Sequence, residues 1–224
     1  MSAVFPELSL TREAPTAIQR VQPGTMYPLV KRAFDILATL LCAQLILAVV
    51  GALVLLVRSD GGPAFYSQPR LGKDGRVFKL WKLRTMVPDA ERALARYLEQ
   101  NPAARVEWDR DQKLISDPRI TPVGRYLRKY SLDEVPQFYK VLVGEMSLIG
   151  PRPMLPEQRD WYPGTAYYDV LPGMTGLWQI STRNHSSFAE RATYDTHYAS
   201  TMSFAVDLRI LLVTFLVVFK GTGL

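Results

Sequence analysis

The longest apolar stretch of the chain runs from Ile36 to Val57, ILATLLCAQLILAVVGALVLLV, 22 residues without a charge. As one helix it would rise about 33 Å, against about 30 Å for the hydrocarbon core of a bilayer. An uncharged run of that length suits lipid better than the core of a soluble domain, so a membrane-inserted helix is expected. A second apolar run lies within residues 207–221, DLRILLVTFLVVFKG. It is too short to span. It reads as an interfacial helix or as packing beside the first membrane segment.

Between them the pattern changes period. AFYSQPRLGKDGRVFKLWKLRTM (64–86) has two aromatic and branched stretches around KDG, and Asp74-Gly75 suits the tight turn of a hairpin. The alternation is imperfect, since Lys79, Lys82 and Arg84 fall on both faces. A helix follows, with Asp89 as its cap, Ala90, Leu94, Tyr97 and Leu98 as its stripe, and Asn101-Pro102 as its stop. TPVGRYLRKY opens another helix, with Thr121 as cap and Pro122 at the first position. A third begins within SLDEVPQFYKVLV, and the chain is loop-rich from Gly144 to about Asn184. There is no internal repeat.

Charge adds a partner class. Twenty-seven Lys and Arg against 21 Asp and Glu leave +6, which favours a membrane surface, a nucleotide or a nucleic acid. A single cysteine, Cys42, rules out an intrachain disulfide, and with only His185 and His197 a Cys/His metal site is not expected. The N-terminus has no secretory signal pattern, and Pro6, Pro15, Pro23 and Pro28 interrupt it. Residues 1–30 therefore read as a mobile tail. Arg20, Lys31 and Arg32 precede the apolar run, and Arg58, Arg70, Lys73 and Arg76 follow it. Positive charge marks the cytoplasmic side. With both flanks marked, a segment that enters and leaves by one face is preferred over a span.

The chemistry concentrates at SLDEVPQ (131–137). One reading is a capping box, with Ser131 as cap and Glu134 reaching back. Asp133 and Glu134 also suit the positive end of a helix dipole. Three features point further. Arg125, Arg128 and Lys129 lie just before the pair, and cations keep a carboxylate ionised with a low pKa, fit to be a nucleophile or metal ligand. A helix N-terminus suits a phosphate. In GPRP (150–153), Arg152 is stiffly presented between prolines, and its guanidinium suits a bidentate phosphate. A carboxylate nucleophile, a divalent cation and several arginines make sense together in phosphoryl transfer. No P-loop, GxGxxG or HExxH is present.

KRAFDI, GGPAFYSQPRLG, FKLWKLRTM, DPRITPVGRYLRKYSLDEVPQ, GEMSLIGPRP and LPGMTGLWQISTRN follow one another in order. On these six blocks the chain, from about Lys31 to Leu216, resembles the bacterial monotopic phosphoglycosyl transferases. These begin exopolysaccharide and O-antigen assembly. The resemblance is strongest to members that load galactose or glucose 1-phosphate onto undecaprenyl phosphate. It implies that Asp133 attacks the β-phosphate of a UDP-sugar, releases UMP and carries the phosphosugar until undecaprenyl phosphate takes it. Glu134 would serve either in proton transfer from the acceptor or in holding Mg²⁺, with Asp133 and Glu134 as the metal ligands. Arg128 matches an arginine that contacts the acceptor or intermediate phosphate. Arg152, with Pro151 and Pro153, would shape the nucleotide and phosphate pocket. Lys82 and Arg84 would line the same basic site, and Arg183 would add to it. Sugar choice would lie in TGLWQISTRN and around Tyr194–Tyr198.

The implied fold is α+β and mainly helical, with a re-entrant N-terminal membrane helix, a short β-hairpin, and interfacial amphipathic helices around a loop-rich catalytic site. Its parts would be a tail (1–30), a membrane-inserted segment (31–60) and a catalytic domain (61–224). The domain would sit on the cytoplasmic face of the bacterial inner membrane, ending in an interfacial helix. The N-terminal membrane domain of larger relatives is missing, so a minimal catalytic unit is expected, with homo-oligomers allowed and nucleic acid not a partner. Two departures stand out. Leu47-Ala48 occupies the place of the family's helix-breaking Ser-Pro, with only Gln44 and Gly51 as nearby substitutes, and Thr182 occupies that of a glycine. Readings from other classes are a membrane-anchored scaffold or nucleic-acid-binding protein, and a membrane hydrolase. The first lacks a nucleic-acid motif and the second an evident Ser-His-Asp set.

Overall fold

The computed structural model describes residues 26–111, 114–181 and 188–219. Two apolar helices, α1 (Tyr27–Leu41) and α2 (Ala43–Arg58), lead into a hairpin of β1 (Phe65–Leu71) and β2 (Val77–Leu83). Helices α3 (Ala90–Gln100), α4 (Pro102–Asp111) and α5 (Pro122–Lys129) follow. A 3-10 helix (Leu132–Gln137) runs into α6 (Phe138–Val143). Then come β3 (Ser147–Ile149), α7 (Ala166–Asp169), β4 (Gly173–Thr175) and α8 (Leu177–Ser181). Helices α9 (Phe188–Thr201) and α10 (Phe204–Phe219) close the described chain. The hairpin is antiparallel with Tyr66 opposite Lys82, and β3 and β4 pair in parallel. The main core gathers Phe78, Leu80, Val141, Met146, Leu148, Ile149, Tyr198 and Ile210. The mainly helical α+β expectation holds in this coarse form.

Helix α1 is inside out, whereas α2 buries the apolar Leu53 and Val57. Along α1 the buried positions are Lys31, Asp35 and Thr39, one turn apart, while Leu29, Val30, Leu37, Leu40 and Leu41 are exposed. Lys31 Nζ pairs with Asp207 Oδ2 at 2.5 Å, and Asp207 also accepts from the Tyr27 and Tyr198 hydroxyls. Asp35 Oδ1 accepts from the Leu148 N–H at 3.2 Å. Arg32 donates to the carbonyls of Val141 and Leu142 at 2.6 and 2.9 Å, closing the C-terminal end of α6. On α10, Phe204, Leu208, Leu212, Phe215, Leu216 and Phe219 are exposed. Such a surface marks contact with membrane or partner.

Among the described residues no single helix is long and apolar enough to cross a membrane, whereas α1 and α2 together are, bent by 59°. The bend falls at Cys42, not at Leu47-Ala48, which α2 passes through unbroken together with Gly51. Proline is not needed. The Thr39 hydroxyl donates back to the Asp35 carbonyl at 2.7 Å, a bond that bends helices. Cys42 then sits at φ −89°, ψ −1°. Both ends of the pair are tied to the same body. Lys31 and Arg32 hold one end. Arg84 holds the other through the Val57 carbonyl and Asp60. This attachment carries the same-face argument better than the flanking charges do, because Lys31, Arg32 and Arg70 are engaged inside the protein.

Other expectations fared differently. The hairpin turn has Asp74 and Gly75 at positive φ, as Asp-Gly turns do. Thr121 caps α5 by accepting from the Gly124 N–H at 2.9 Å. Asp89 precedes α3 but does not cap it with its side chain, because its φ of 58° turns the carboxylate away. Pro102 both stops α3 and starts α4. Helix α1 begins at Tyr27, inside the stretch read as tail, with Pro28 in its first turn. Residues 1–25 lie outside the described residues.

Candidate active site

The site is built where β2 meets the turn after α5. In β2 the alternation holds up to Lys82: Phe78, Leu80 and Lys82 share one face, and Val77, Lys79 and Trp81 are exposed, while Leu83 at the end of the strand is buried. Phe78 and Leu80 lie in the core, so Lys82 is delivered beside it at the mouth of the hairpin. Helix α5 crosses close to Thr85. A Cβ on Gly124 would stand 2.0 Å from the Thr85 carbonyl oxygen, so only glycine allows that approach. The same crossing puts Arg128 Nε 2.9 Å from Thr85 Oγ1 and fixes the guanidinium at the cleft wall.

Ser131 ends α5 in the left-handed region (φ 54°), with its N–H on the Arg128 carbonyl at 3.1 Å. It makes no side-chain cap, so the capping box does not form. A capping residue needs extended backbone, and here the residue is spent on terminating the previous helix. Pro136 has no N–H to give and would crowd the carbonyl four residues back, and the segment winds as a 3-10 turn. This turn packs on β2 and presents Asp133 and Glu134 to Lys82.

Lys82 Nζ lies 2.6 Å from Glu134 Oε1 and 3.7 Å from Asp133 Oδ2. Arg152 adds a contact to Glu134 Oε1 at 3.2 Å. Pro151 and Pro153 are buried, and their carbonyls are anchored, Pro151 to the Gly173 N–H (2.8 Å) and Pro153 to Arg70 (3.4 Å). Burial raises the Asp133 pKa above the ordinary value. Glu134 adds to the rise, and Lys82 and Arg128 only partly offset it. This reverses the expectation of a low pKa. The sequence displays the cations but not the loss of water, which penalises the charged form.

These groups line an open cleft of about 810 Å³. Its wall carries seven Lys and Arg (70, 82, 84, 92, 119, 128, 152) against four carboxylates (89, 91, 133, 134), a balance suited to an anion such as a diphosphate. Asp133, Glu134, Lys82, Arg128 and Arg152 therefore come together. Pro153 lines a small recess beside the cleft, shared with Arg70 and Glu134.

Arg84 lines the cleft as expected. Its five N–H groups, however, go to Asp60 and to the carbonyls of Val57, Pro63 and Met86. It is a strut between β2 and the end of α2. Arg183 and Thr182 lie outside the described residues. Tyr194 and Tyr198 do not line the cleft, and Tyr198 is core, bonded to Asp207 and the Ile149 carbonyl.

Arg70 was missed as a site residue. Its Nη2 donates to Gln68 at 2.8 Å, its buried Nε has no partner, and burial and the neighbouring Arg152 push its pKa down to about 10. It remains cationic at neutral pH and points into the cleft beside Arg152. The signal available was parity: Tyr66, Gln68 and Arg70 share the face that pairs with Lys82, Leu80 and Phe78. Among the described residues no group of three or more His, Cys, Asp or Glu could hold a metal ion by itself. Two adjacent carboxylates at the wall of a cationic cleft have the donor set that Mg²⁺ takes, since it is commonly held by one or two carboxylates plus substrate phosphates.

A buried aspartate beside a glutamate in a cationic cleft suits the handling of anions, and the body that carries them has an apolar outer face. The chain belongs to the bacterial sugar transferase family, whose model matches residues 26–221, and the family resemblance drawn from the sequence stands. It is 44% identical over 195 residues to a UDP-galactose-lipid carrier transferase of Erwinia amylovora, covering 86% of this chain and 41% of that protein. An exopolysaccharide production protein of Sinorhizobium fredii is 44% identical over 216 residues, covering 92% of this chain and 94% of that one. An undecaprenyl-phosphate galactose phosphotransferase of Salmonella typhimurium is 42% identical over 199 residues, covering 86% and 41%. The chain thus spans about two fifths of the length of the first and third.

Proposed function

We propose that the protein transfers a sugar 1-phosphate, galactose or glucose, from a UDP-sugar to undecaprenyl phosphate at the cytoplasmic face of the bacterial inner membrane, as a first step of exopolysaccharide or O-antigen assembly. The observation that carries this reading is the Asp133–Glu134 pair, shielded from water at the wall of a cation-rich cleft. An Asp133 oxygen attacks the β-phosphorus. The bond from that phosphorus to the oxygen bridging it to the α-phosphorus breaks, and UMP leaves with the electron pair. A phosphate oxygen of the acceptor then attacks the aspartyl phosphate, and Asp133 is regenerated as a carboxylate. Burial leaves Asp133 with few water molecules to shed before attack.

Lys82, Arg70, Arg128 and Arg152 neutralise the diphosphate and hold it in line. Lys82 bridges the two carboxylates and can turn from Glu134 to a phosphate oxygen. Glu134 takes the acceptor's proton or shares in metal binding. Asp133 and Glu134 are the residues that would hold Mg²⁺, which would supply charge neutralisation on the diphosphate.

The test is nucleotide release. Purified protein in nanodiscs receives Mg²⁺, undecaprenyl phosphate and a panel of UDP-sugars in turn. UMP from one of them is the expected result. UDP would mean ordinary glycosyl transfer and would overturn the role of Asp133.

A further inference from the structure

A second cavity, of about 300 Å³, lies behind the carboxylate pair. It shares Ser131, Glu134 and Arg152 with the polar cleft, so the two meet at Glu134. Beyond those three residues its walls are mainly apolar. Val135, Phe138, Met174 and Ile180 line it, together with Leu211 and Val218 of α10. The hydroxyls of Thr175 and Thr214 are bonded to each other at 2.7 Å, and Gln179 donates to the Met174 carbonyl at 3.1 Å. Away from the rim, Gln179 Oε1 is buried without a partner, a single acceptor where a water needs two to four partners. One acceptor also offers little to a nucleoside, whose base and ribose must be hydrogen-bonded.

The groove therefore runs from a phosphate-binding rim to the last turn of α10. The opposite face of that turn, Phe215, Leu216 and Phe219, is exposed. An occupant must carry an anion at one end and an unbroken apolar chain at the other. We propose that this groove receives the first isoprene units of the polyprenyl phosphate acceptor, with its phosphate at Arg152 beside Glu134. The inference rests on the reading above and adds where the lipid lies. The groove brings the acceptor phosphate to the rim it shares with the cleft at Glu134, next in sequence to Asp133, so donor and acceptor lie in separate spaces and need not exchange places.

The experiment has two parts. First, Val218→Trp fills the groove from α10, at a half-buried position outside the core clusters. Its KM for undecaprenyl phosphate and its KM for the UDP-sugar are compared with those of the parent. The acceptor KM should rise ten-fold or more while the donor KM holds. An unchanged acceptor KM in a variant that melts like the parent overturns the proposal. Second, the unaltered protein is photolysed with a diazirine-bearing prenyl phosphate and the labelled peptides are mapped. Labels at 132–138, 174–180 or 211–218, competed by undecaprenyl phosphate, support the groove. Labels confined to α1 and α2 overturn it, as does labelling of the groove by a diazirine phospholipid that undecaprenyl phosphate does not compete. The labelling needs no turnover. A failure of the proposed reaction would appear as absent UMP, and a failure of the groove as a wrong address.

Discussion

Two buried charge clusters in this protein use similar residues to opposite ends. Around Asp207, one cation (Lys31) and two hydroxyls (Tyr27, Tyr198) converge on a single carboxylate, which is 3% exposed. Around Asp133 and Glu134, the cations Lys82, Arg128, Arg152 and Arg70 outnumber the carboxylates, and the group opens onto an 810 Å³ cleft. The first cluster is matched and closed, and it holds α1 to the body. The second is left with surplus positive charge facing a space, which is a fitting state for a site that awaits an anion. Balance separates structural from functional charge here better than burial does.

The comparison is most sharply tested by Asp133→Asn. Transfer should fall by three orders of magnitude or more in the nucleotide-release assay, while the melting temperature at pH 7 holds or rises, because an unfavourably buried charge has been removed. Asp207→Asn should do the reverse. It leaves Lys31 without its anion, at a loss of about 3–5 kcal/mol, read by thermal unfolding in detergent, and the activity per folded molecule should persist. A collapse of turnover in the folded fraction would join the two clusters into one machine.

Arg70→Gln should lower kcat/KM for the donor by about ten- to a hundred-fold, the worth of one charge-assisted bond of about 1.5–3 kcal/mol, with little change in melting temperature. The pH profile comes next. Asp133 is raised above the usual carboxylate range, and it must be ionised to attack. Activity should therefore rise with pH through an apparent pKa above that range. In Lys82→Met, which removes the strongest lowering influence, the acid limb should move further up. An unmoved limb would assign it to another group. The smallest effect is expected for Ser131→Gly. Relief of left-handed strain, about 1–2 kcal/mol, is offset by glycine's extra chain entropy, about 0.5–1 kcal/mol, so unfolding should change by about 1 kcal/mol or less.

Local signals were legible in the sequence wherever one segment settles its own geometry. Thr121-Pro122 opening α5, Asp74-Gly75 turning the hairpin and the uncharged run of α1 and α2 are of this kind. So was the acidic pair, because its ordered blocks resemble a family. What could not be read depends on partners distant in sequence. Arg84 looks like a phosphate ligand until Asp60 is seen to claim it. Lys82 looks misplaced until the register of β1 and β2 is known. The Asp133 pKa follows from burial, which no neighbour in the chain reveals. The bend at Cys42 has a threonine hydroxyl on the turn before it, where proline was the signal sought.

The inverted face of α1 also dictates an order of events. Lys31 must wait for Asp207, 176 residues later, and Asp35 for the Leu148 amide, 113 residues later. Made before those partners, this helix holds an ammonium and a carboxylate, one turn apart, that complete their bonds only when the later segments arrive. Its final packing is therefore a late step, completed when α10 arrives. A chain cut before α10 would leave Lys31 without its short ion pair and α1 without its main tether.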